Sequence, residues 1–390
     1  MNFDEEDTLA KCRAPAKAWA AANIDPAWIR AARITHSHHQ PELHDRLAAQ
    51  GILGAGWPSA YGGTTFDPHF ATAIFDEIQA LGLRSSAWGN TTQVLNTVLR
   101  VGTEQQKREL VSAAVRGEIL FTLGFSEPGC GTDAAAARTR AVRDGQGWRI
   151  NGAKMFTSTA HVATHVILLT RTNTDVPKHR GLTVFLVPLL APGVEIREVK
   201  TLSGERTNAT FYTDIVVPDS ARLGEVDGGW SVMRVTLVYE RTGRGLAGPQ
   251  LSQRFAEWAR GQRDVRGRPV LDSLVVREKL ARVAIDEEVS RLLQLQTSWV
   301  SARGGLPRAE GAIAKLYAAE HAQVSHSELL DVLGFAGTLQ SGAPGAVLDG
   351  DVEQAFRASV VTTIYGGASE ILRDLIADLR HGLPRSRPVG

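Results

Sequence analysis

Apolar positions recur along this chain with two different periods, and the switches between them divide it into three stretches. From the N-terminus to about Glu118 they return every three or four residues in Ala-rich segments, the spacing of helices with one buried face. One loop interrupts them, Gly54-Ala-Gly-Trp-Pro-Ser-Ala-Tyr-Gly-Gly63. Thr103 with Gln106 three residues later forms a capping box that predicts a helix over 104–115, and Gly117 stands where it must stop. From Leu120 to about Glu225 the texture becomes short β-branched and aromatic runs, at 148–150, 165–170, 182–187 and 210–217. Asp144-Gly145, Asn151-Gly152 and Pro192-Gly193 punctuate them as turn signals, so this stretch reads as an antiparallel β domain. After Gly228-Gly229 the helical period returns, in amphipathic runs at 230–244, 274–299, 311–332 and 369–380, the last closed by Gly382 and Pro384.

The resulting plan is α+β: a helical domain over 1–119, a β domain over 120–226 and a helical bundle over 227–390. Strands are segregated from helices, which disfavours a doubly wound nucleotide fold. Two dinucleotide-like glycine patterns fail for the same reason. Gly54-Ala-Gly56, with Asp76 twenty residues on, is followed by Pro58, and Gly129-Cys-Gly131-Thr-Asp-Ala134 lies in no βαβ unit.

Composition narrows the field. With 43 Lys+Arg against 42 Asp+Glu, spread singly, the 390-residue chain has no basic stripe for nucleic acid. Its 43% hydrophobic content is ample for a core. Cys12 and Cys130, about a hundred residues apart, build neither a disulfide framework nor a CxxC motif. The acidic start Asp4-Glu-Glu-Asp7 argues against a leader peptide. The most apolar window, 182–190, is nine residues long and contains Pro188, too short to span a bilayer. These features predict a soluble cytoplasmic protein with no membrane partner.

Candidate chemistry begins at Ser126-Glu-Pro-Gly-Cys-Gly-Thr-Asp133, which follows the strand-like run 121–125. Small residues there expose backbone N–H groups and hydroxyls suited to a phosphate or a flavin edge, yet the same composition makes an ordinary turn, and the pattern alone leaves both open. His36, His38, His39 and His44 form the only histidine cluster. With no Cys, Asp or Glu at ligand spacing they read as neutral loop histidines and not as a metal site. The Arg-rich segment 263–268 reads as a solvated hairpin or a subunit contact.

Several motifs, in order, then carry a resemblance: Trp57-Pro-Ser-Ala-Tyr-Gly-Gly63, Gly102-Thr-Glu-Gln-Gln-Lys107, Phe125-Ser-Glu-Pro-Gly-Cys-Gly-Thr-Asp133, Trp148-Arg-Ile-Asn-Gly-Ala-Lys154, Lys178-His-Arg-Gly181, Val217-Pro218, Glu240-Arg241 and Thr363-Ile-Tyr-Gly-Gly-Ala-Ser-Glu-Ile-Leu-Arg373, followed by Gly382-Leu-Pro-Arg385. Over almost its whole length the chain resembles the acyl-CoA dehydrogenase family, in particular a bacterial branch with this type of terminal sequence. The resemblance implies a helical N-terminal domain, a β-barrel-like middle domain and a C-terminal four-helix bundle. It implies FAD, and oxidation of a thioester in which an α-proton leaves to a base and a β-hydride passes to flavin N5.

By the same resemblance Phe125, Ser126, Gly131 and Thr132 would touch flavin and pyrophosphate, and Phe156 and Ser158 would flank the isoalloxazine. Arg263 would reach the pyrophosphate of a neighbouring subunit's FAD, with Asp331, Ala368 and Glu370 also on the cofactor. Thr132, Arg241, Gly366 and Gly367 would contact substrate. The chain departs from the family at Phe156 (usually Trp), Ser158 and Ala368 (usually Thr), Asp331 (often Gln) and within Leu333-Gly-Phe-Ala-Gly337.

Many family members carry their base right after the Tyr of the terminal motif, where this chain has Gly366. Others carry it on a bundle helix just before an Arg, the place of Glu240. On a helical wheel Trp230, Met233, Leu237 and Glu240 share one third of the circumference, so the carboxylate lies on the apolar stripe, where desolvation raises its proton affinity. An ion pair with Arg241 or Arg244 is the competing role for Glu240, and Glu370, at a helix start, is the second choice of base. The Gly366 backbone N–H would remain as a donor to the thioester carbonyl.

The resemblance further implies an electron-transfer flavoprotein as acceptor, self-association to a dimer or tetramer with or without a paralogous subunit, and a branched, cyclic or sterol-derived acyl group. A non-catalytic partner subunit, and a flavin oxidase or carrier-protein thioester dehydrogenase on the same fold, are the alternatives.

Overall fold

The computed structural model describes residues 5–37, 39–83, 86–242 and 251–384. The chain divides into two compact units, Met1–Gly245 and Leu246–Val389.

The first unit opens with α1 (Glu5–Asn23), α2 (Pro26–Thr35), α3 (Pro41–Ala49), α4 (Pro68–Ala80) and α5 (Ser86–Val101). Asp25 and Asp67 cap α2 and α4, each just before a Pro whose missing N–H costs a first turn nothing. Next, α6 (Glu104–Gln106) leads through a π-helical turn, Lys107–Val111, into α7 (Ser112–Val115). The expected capping box is present, with Gln106 N–H donating to Thr103 Oγ1 at 3.2 Å and Thr103 N–H to Gln106 Oε1 at 3.0 Å. Gly117 ends this run at φ 83°.

Eight strands follow: β1 (Phe121–Gly124), β2 (Arg140–Asp144), β3 (Gly147–Lys154), β4 (His165–Arg171), β5 (Leu182–Pro188), β6 (Val194–Lys200), β7 (Arg206–Pro218) and β8 (Arg222–Leu223). They form one sheet in the order β6-β7-β3-β2-β4-β5-β8, with β1 also on β4. The sheet is mixed, not antiparallel as the texture predicts, because β4 pairs in parallel with both β1 and β2. Parallel neighbours need a crossover. Here the crossovers are the connection from β2 to β4, which passes through β3, and the longer one from β1 to β4, which passes through β2 and β3 and begins with the Ser126–Asp133 motif.

A second correction concerns Asn151-Gly152. It is not a turn but a bulge inside β3, facing β7. Gly152 sits at φ 151°, and a Cβ there would lie 2.6 Å from the Thr139 Cα, so the close approach of another backbone requires glycine. Asn151 is fully used, giving a 2.9 Å bond to Asp214 Oδ1 and accepting the Asp214 N–H at 2.8 Å.

The unit closes with α8 (Gly229–Thr242), which the period groups with the C-terminal helices and which packs here on α5 and β5. One apolar core runs through the helices and one side of the sheet and includes Val232 and Met233 of α8. A second, built on Trp148, Ile150, Phe185, Tyr212 and Val217, fills the other side. At one end of the sheet, β6 exposes Glu195, Arg197, Glu198 and Lys200, with the Arg197 guanidinium over the Phe211 ring.

The second unit contains α9 (Leu251–Gly261), α10 (Leu274–Ala302), α11 (Arg308–Leu333), α12 (Asp351–Ser359) and α13 (Ser369–His381). Helix α11 is central, packing on α10, α12 and α13. Its core joins Phe255, Ala259, Val283, Leu329, Leu333 and Val352. Among the described residues no helix is long and apolar enough to cross a membrane.

Candidate active site

Two loops of the first unit meet beside the end of β3. Met155 N–H donates to Ser126 O at 2.9 Å, which joins the loop after β1 to the one after β3. Phe125, at the base of the first loop, is buried. Beyond it Gly131 and Thr132 are exposed, and no described residue accepts from their backbone N–H groups. A Cβ added at Gly129 or Gly131 would meet nothing within 4 Å. This is an open, donor-lined edge of the kind that holds anionic groups.

The second loop supplies an aromatic face. Phe156 is 62% exposed and held at φ 60°, and Thr159 at φ 67°, left-handed positions that residues with side chains rarely adopt and that cluster at functional sites. The loop is tied down on both sides of Phe156. Thr157 N–H donates to Asn208 O at 2.8 Å, Asn208 Nδ2 returns a 3.0 Å bond to Thr157 O, and Ser158 Oγ lies 3.1 Å from Thr207 Oγ1. Ser158 O also accepts from the buried Thr122 hydroxyl. A flat exposed ring beside an edge of donors fits a planar heterocycle joined to a phosphate.

The reading of the sequence missed what fixes these loops. Lys154, at the end of β3, is completely buried, its Nζ 2.8 Å from Glu127 Oε1 and 3.2 Å from Phe125 O. The Glu127 carboxylate also accepts the N–H groups of Arg138 and Thr139, at 2.7 and 2.8 Å. Burial alone would raise the Glu127 pKa, but the Lys154 charge and these hydrogen bonds outweigh it and hold the carboxyl below its usual range. Neighbouring Cys130 is pushed up, first by burial and then by Glu127, so its thiol is protonated at neutral pH. No local pattern announces it: the burial of β3 does not alternate through to Lys154, because the bulge at Ile150/Gly152 shifts the register before it.

On α8 the stripe around Glu240 is broader than the helical wheel suggests. Met233, Val232 and Thr236 are buried, while Trp230 and Leu237 pack on the same core half-exposed. Thr236 Oγ1 is 3.1 Å from Thr97 Oγ1 of α5, and Glu240, half-buried, stands one turn beyond it. The side chain of Arg241 and residue Arg244 lie outside the described residues.

In the second unit the terminal motif forms a turn between α12 and α13. Gly366 and Gly367 adopt φ 65° and 106°. The turn is held from α11: Lys315 Nζ donates to Thr362 O at 2.6 Å and Gly367 O at 2.8 Å, and Gln323 Nε2 reaches Val360 O and Thr363 Oγ1, each at 3.3 Å. Ala368 is the N-cap of α13 and makes no side-chain capping bond, while Glu370 is exposed in its first turn.

Two expected cofactor residues stand in local structure. Arg263 is exposed in a hairpin, bridged to Pro269, and Asp331 pairs with Lys279 at 2.9 Å. His44 is buried within α3, not in a loop, with its ring 5.8 Å from His39 and 6.1 Å from Trp88; His38 lies outside the described residues. Among the described residues no group of three or more His, Cys, Asp or Glu is arranged to hold a metal.

Three family models match the chain: acyl-CoA dehydrogenase N-terminal domain over residues 6–118, middle domain over 122–216 and C-terminal domain over 227–379. The chain is 36% identical over 349 residues to acyl-CoA dehydrogenase FadE26 of Mycobacterium tuberculosis, covering 87% of each. Among solved structures it is similar to the ChsE4-ChsE5 complex from Mycobacterium tuberculosis, at 34% identity and TM-score 0.88, over 99% of this chain and 100% of that one. The Tcur3481-Tcur3483 steroid ACAD aligns at 34% identity and TM-score 0.85, with the same coverage.

Proposed function

The chain belongs to the acyl-CoA dehydrogenase family of flavoprotein oxidoreductases and acts on acyl-CoA, and from that premise we propose that it binds FAD and desaturates a sterol-derived acyl thioester with Glu240 as base. The observation that carries this reading is a half-buried Glu240 on the apolar stripe of α8, in a chain whose terminal motif has Gly366 and no carboxylate right after its Tyr.

A base for a weakly acidic α-C–H works best out of water, and the helical period sets Glu240 on one stripe with Met233 and Leu237, where a bound acyl chain would exclude solvent. Glu240 takes the α-proton, the C–H electron pair moves toward the thioester carbonyl, and the Gly366 N–H stabilises the oxygen on which charge develops. Phe125, Ser126, Gly131, Thr132, Phe156 and Ser158 hold the flavin and pyrophosphate. Arg263 reaches the pyrophosphate of a neighbouring subunit's FAD, with Asp331, Ala368 and Glu370 also on the cofactor, and Thr132, Arg241, Gly366 and Gly367 position the thioester. When bound, FAD would supply the two-electron sink for the hydride from Cβ; the Cα–H bond breaks to give the proton, the Cβ–H bond breaks to give the hydride, and a Cα=Cβ bond forms.

The steroid ACAD and the ChsE4-ChsE5 complex support a bulky acyl group and a paralogous partner subunit. An electron-transfer flavoprotein takes the electrons onward. One observation favours a second reading, a non-catalytic subunit: Ala368 brings no hydroxyl to the start of α13.

The test is anaerobic. Purified protein should show flavin absorbance that bleaches with the CoA thioester of a sterol side-chain acid faster than with butyryl-CoA or palmitoyl-CoA. Glu240→Gln should keep the colour and slow bleaching by roughly 10²- to 10⁴-fold. Bleaching at the wild-type rate in that variant rules Glu240 out as the base.

A further inference from the structure

The turn that carries Gly366 is closed at its start by its own backbone, with the N–H groups of Ile364 and Tyr365 donating to Val361 O at 3.0 and 3.2 Å. Gly366 and Gly367 have no side chains and both stand at positive φ, where glycine moves most freely. Helix α11 adds a second set of restraints from outside the turn. Lys315, half-buried, donates to Thr362 O and Gly367 O at 2.6 and 2.8 Å, so one ammonium grips the backbone on both sides of Thr363-Ile-Tyr-Gly366. Its Nζ also stands 5.7 Å from the centre of the Tyr365 ring, a third restraint between the two carbonyls. One turn along α11, Ala319 O accepts from Thr362 Oγ1 at 3.2 Å, and Gln323 secures the upstream end. Hydrogen bonds from a cation to carbonyls are roughly twice as strong as neutral ones, which makes Lys315 the dominant clamp.

We infer that Lys315 is a positioning residue for the dehydrogenation, aiming the Gly366 N–H by clamping the carbonyls of Thr362 and Gly367. The inference rests on the proposed role of Gly366 as donor to the thioester carbonyl. It goes beyond that role in assigning the aim of a side-chain-free donor to a cation on another helix. Displacing a preorganised donor costs on the order of 10²-fold in rate while leaving binding by the rest of the ligand largely intact.

The experiment separates enolisation from binding. The FAD-loaded protein is mixed anaerobically in deuterium oxide with whichever of the three thioesters above reduces the flavin, and deuterium entry at Cα is followed by mass spectrometry. Lys315→Met should slow both exchange and flavin reduction at least 10-fold, with the thioester's Kd within about 3-fold of wild type and the flavin content unchanged. Lys315→Arg, which keeps charge and donors, should recover part of the loss. If Lys315→Met gives no folded protein, Lys315→Gln is measured in its place, since its shorter amide cannot hold both carbonyls. Exchange within 2-fold of wild type in a flavin-loaded Met or Gln variant overturns the inference, as does a loss confined to Kd. Glu240→Gln, run alongside, tells the two ideas apart. Exchange that persists in Glu240→Gln defeats the proposed reaction, whereas exchange lost there but kept in the Lys315 variant defeats only the role of Lys315.

Discussion

Lys154 and Glu127 illustrate how much one buried pair decides. Each is withdrawn from water, and each is tolerable there only because the other is present at 2.8 Å. Lys154→Met should therefore leave a desolvated carboxylate and lower stability by about 3–5 kcal/mol, read as a drop in the urea midpoint. Adding Glu127→Gln should return much of that loss, because the uncompensated charge is gone; if the double variant is no more stable than the single, the charge is not the cause. Flavin retention should fall with Lys154→Met, since the Phe125 carbonyl and the Ser126 loop lose their anchor. Small residues single out the neighbouring 126–133 loop, and the resemblance picks Ser126, Gly131 and Thr132 within it, but neither points to this support. A lysine at a strand end carries no mark of burial until β3 is placed against its neighbours.

Elements are legible in the sequence where their causes are local. The Thr103–Gln106 box and the Gly382 stop, at φ 63°, are decided by residues three or four apart. They were misread where a distant segment decides. Asn151-Gly152 carries a turn's residue types, yet the passage of Thr139 makes it a bulge, and the parallel pairing of β4 with β1 joins residues more than forty positions apart. The same logic gives a prediction for α13. Ala368 occupies an N-cap with no capping oxygen, so Ala368→Ser or Ala368→Thr should stabilise the second unit by about 1 kcal/mol, seen as a higher melting temperature. An unchanged melting temperature would mean that the first-turn N–H groups of α13 are already satisfied.

Over the whole molecule the charge balance of 43 against 42 hides groups held far from their ordinary titration. Burial pushes His39 and His326 down to about 4, so they stay neutral in the folded chain where an unfolded chain would protonate them, from about pH 6.5 downward. Burial, against the charge of Arg13, raises Asp76 to about 7, so the folded chain keeps a proton that the unfolded chain releases near pH 3.8. Between pH 4 and 6.5 the unfolded state thus gains the protons of two histidines and the folded state holds one, and stability should rise with pH across that window. His44, His161 and His165, also lowered by burial, add to the rise. Melting temperatures at pH 5 and 7 check the sign. His326→Gln should flatten the dependence and Asp76→Asn should steepen it.

The sheet's outermost strand has one more consequence, for life in a crowded solution. Strand β6 offers an open row of backbone donors and acceptors, a template on which another chain could extend the ladder. Its outward residues, Glu195, Arg197, Glu198 and Lys200, would each have to shed water and face an incoming strand, and in a parallel, in-register second copy of β6 like charges would meet. The cost falls on parallel, in-register stacking, the arrangement by which identical strands extend a sheet along a fibril.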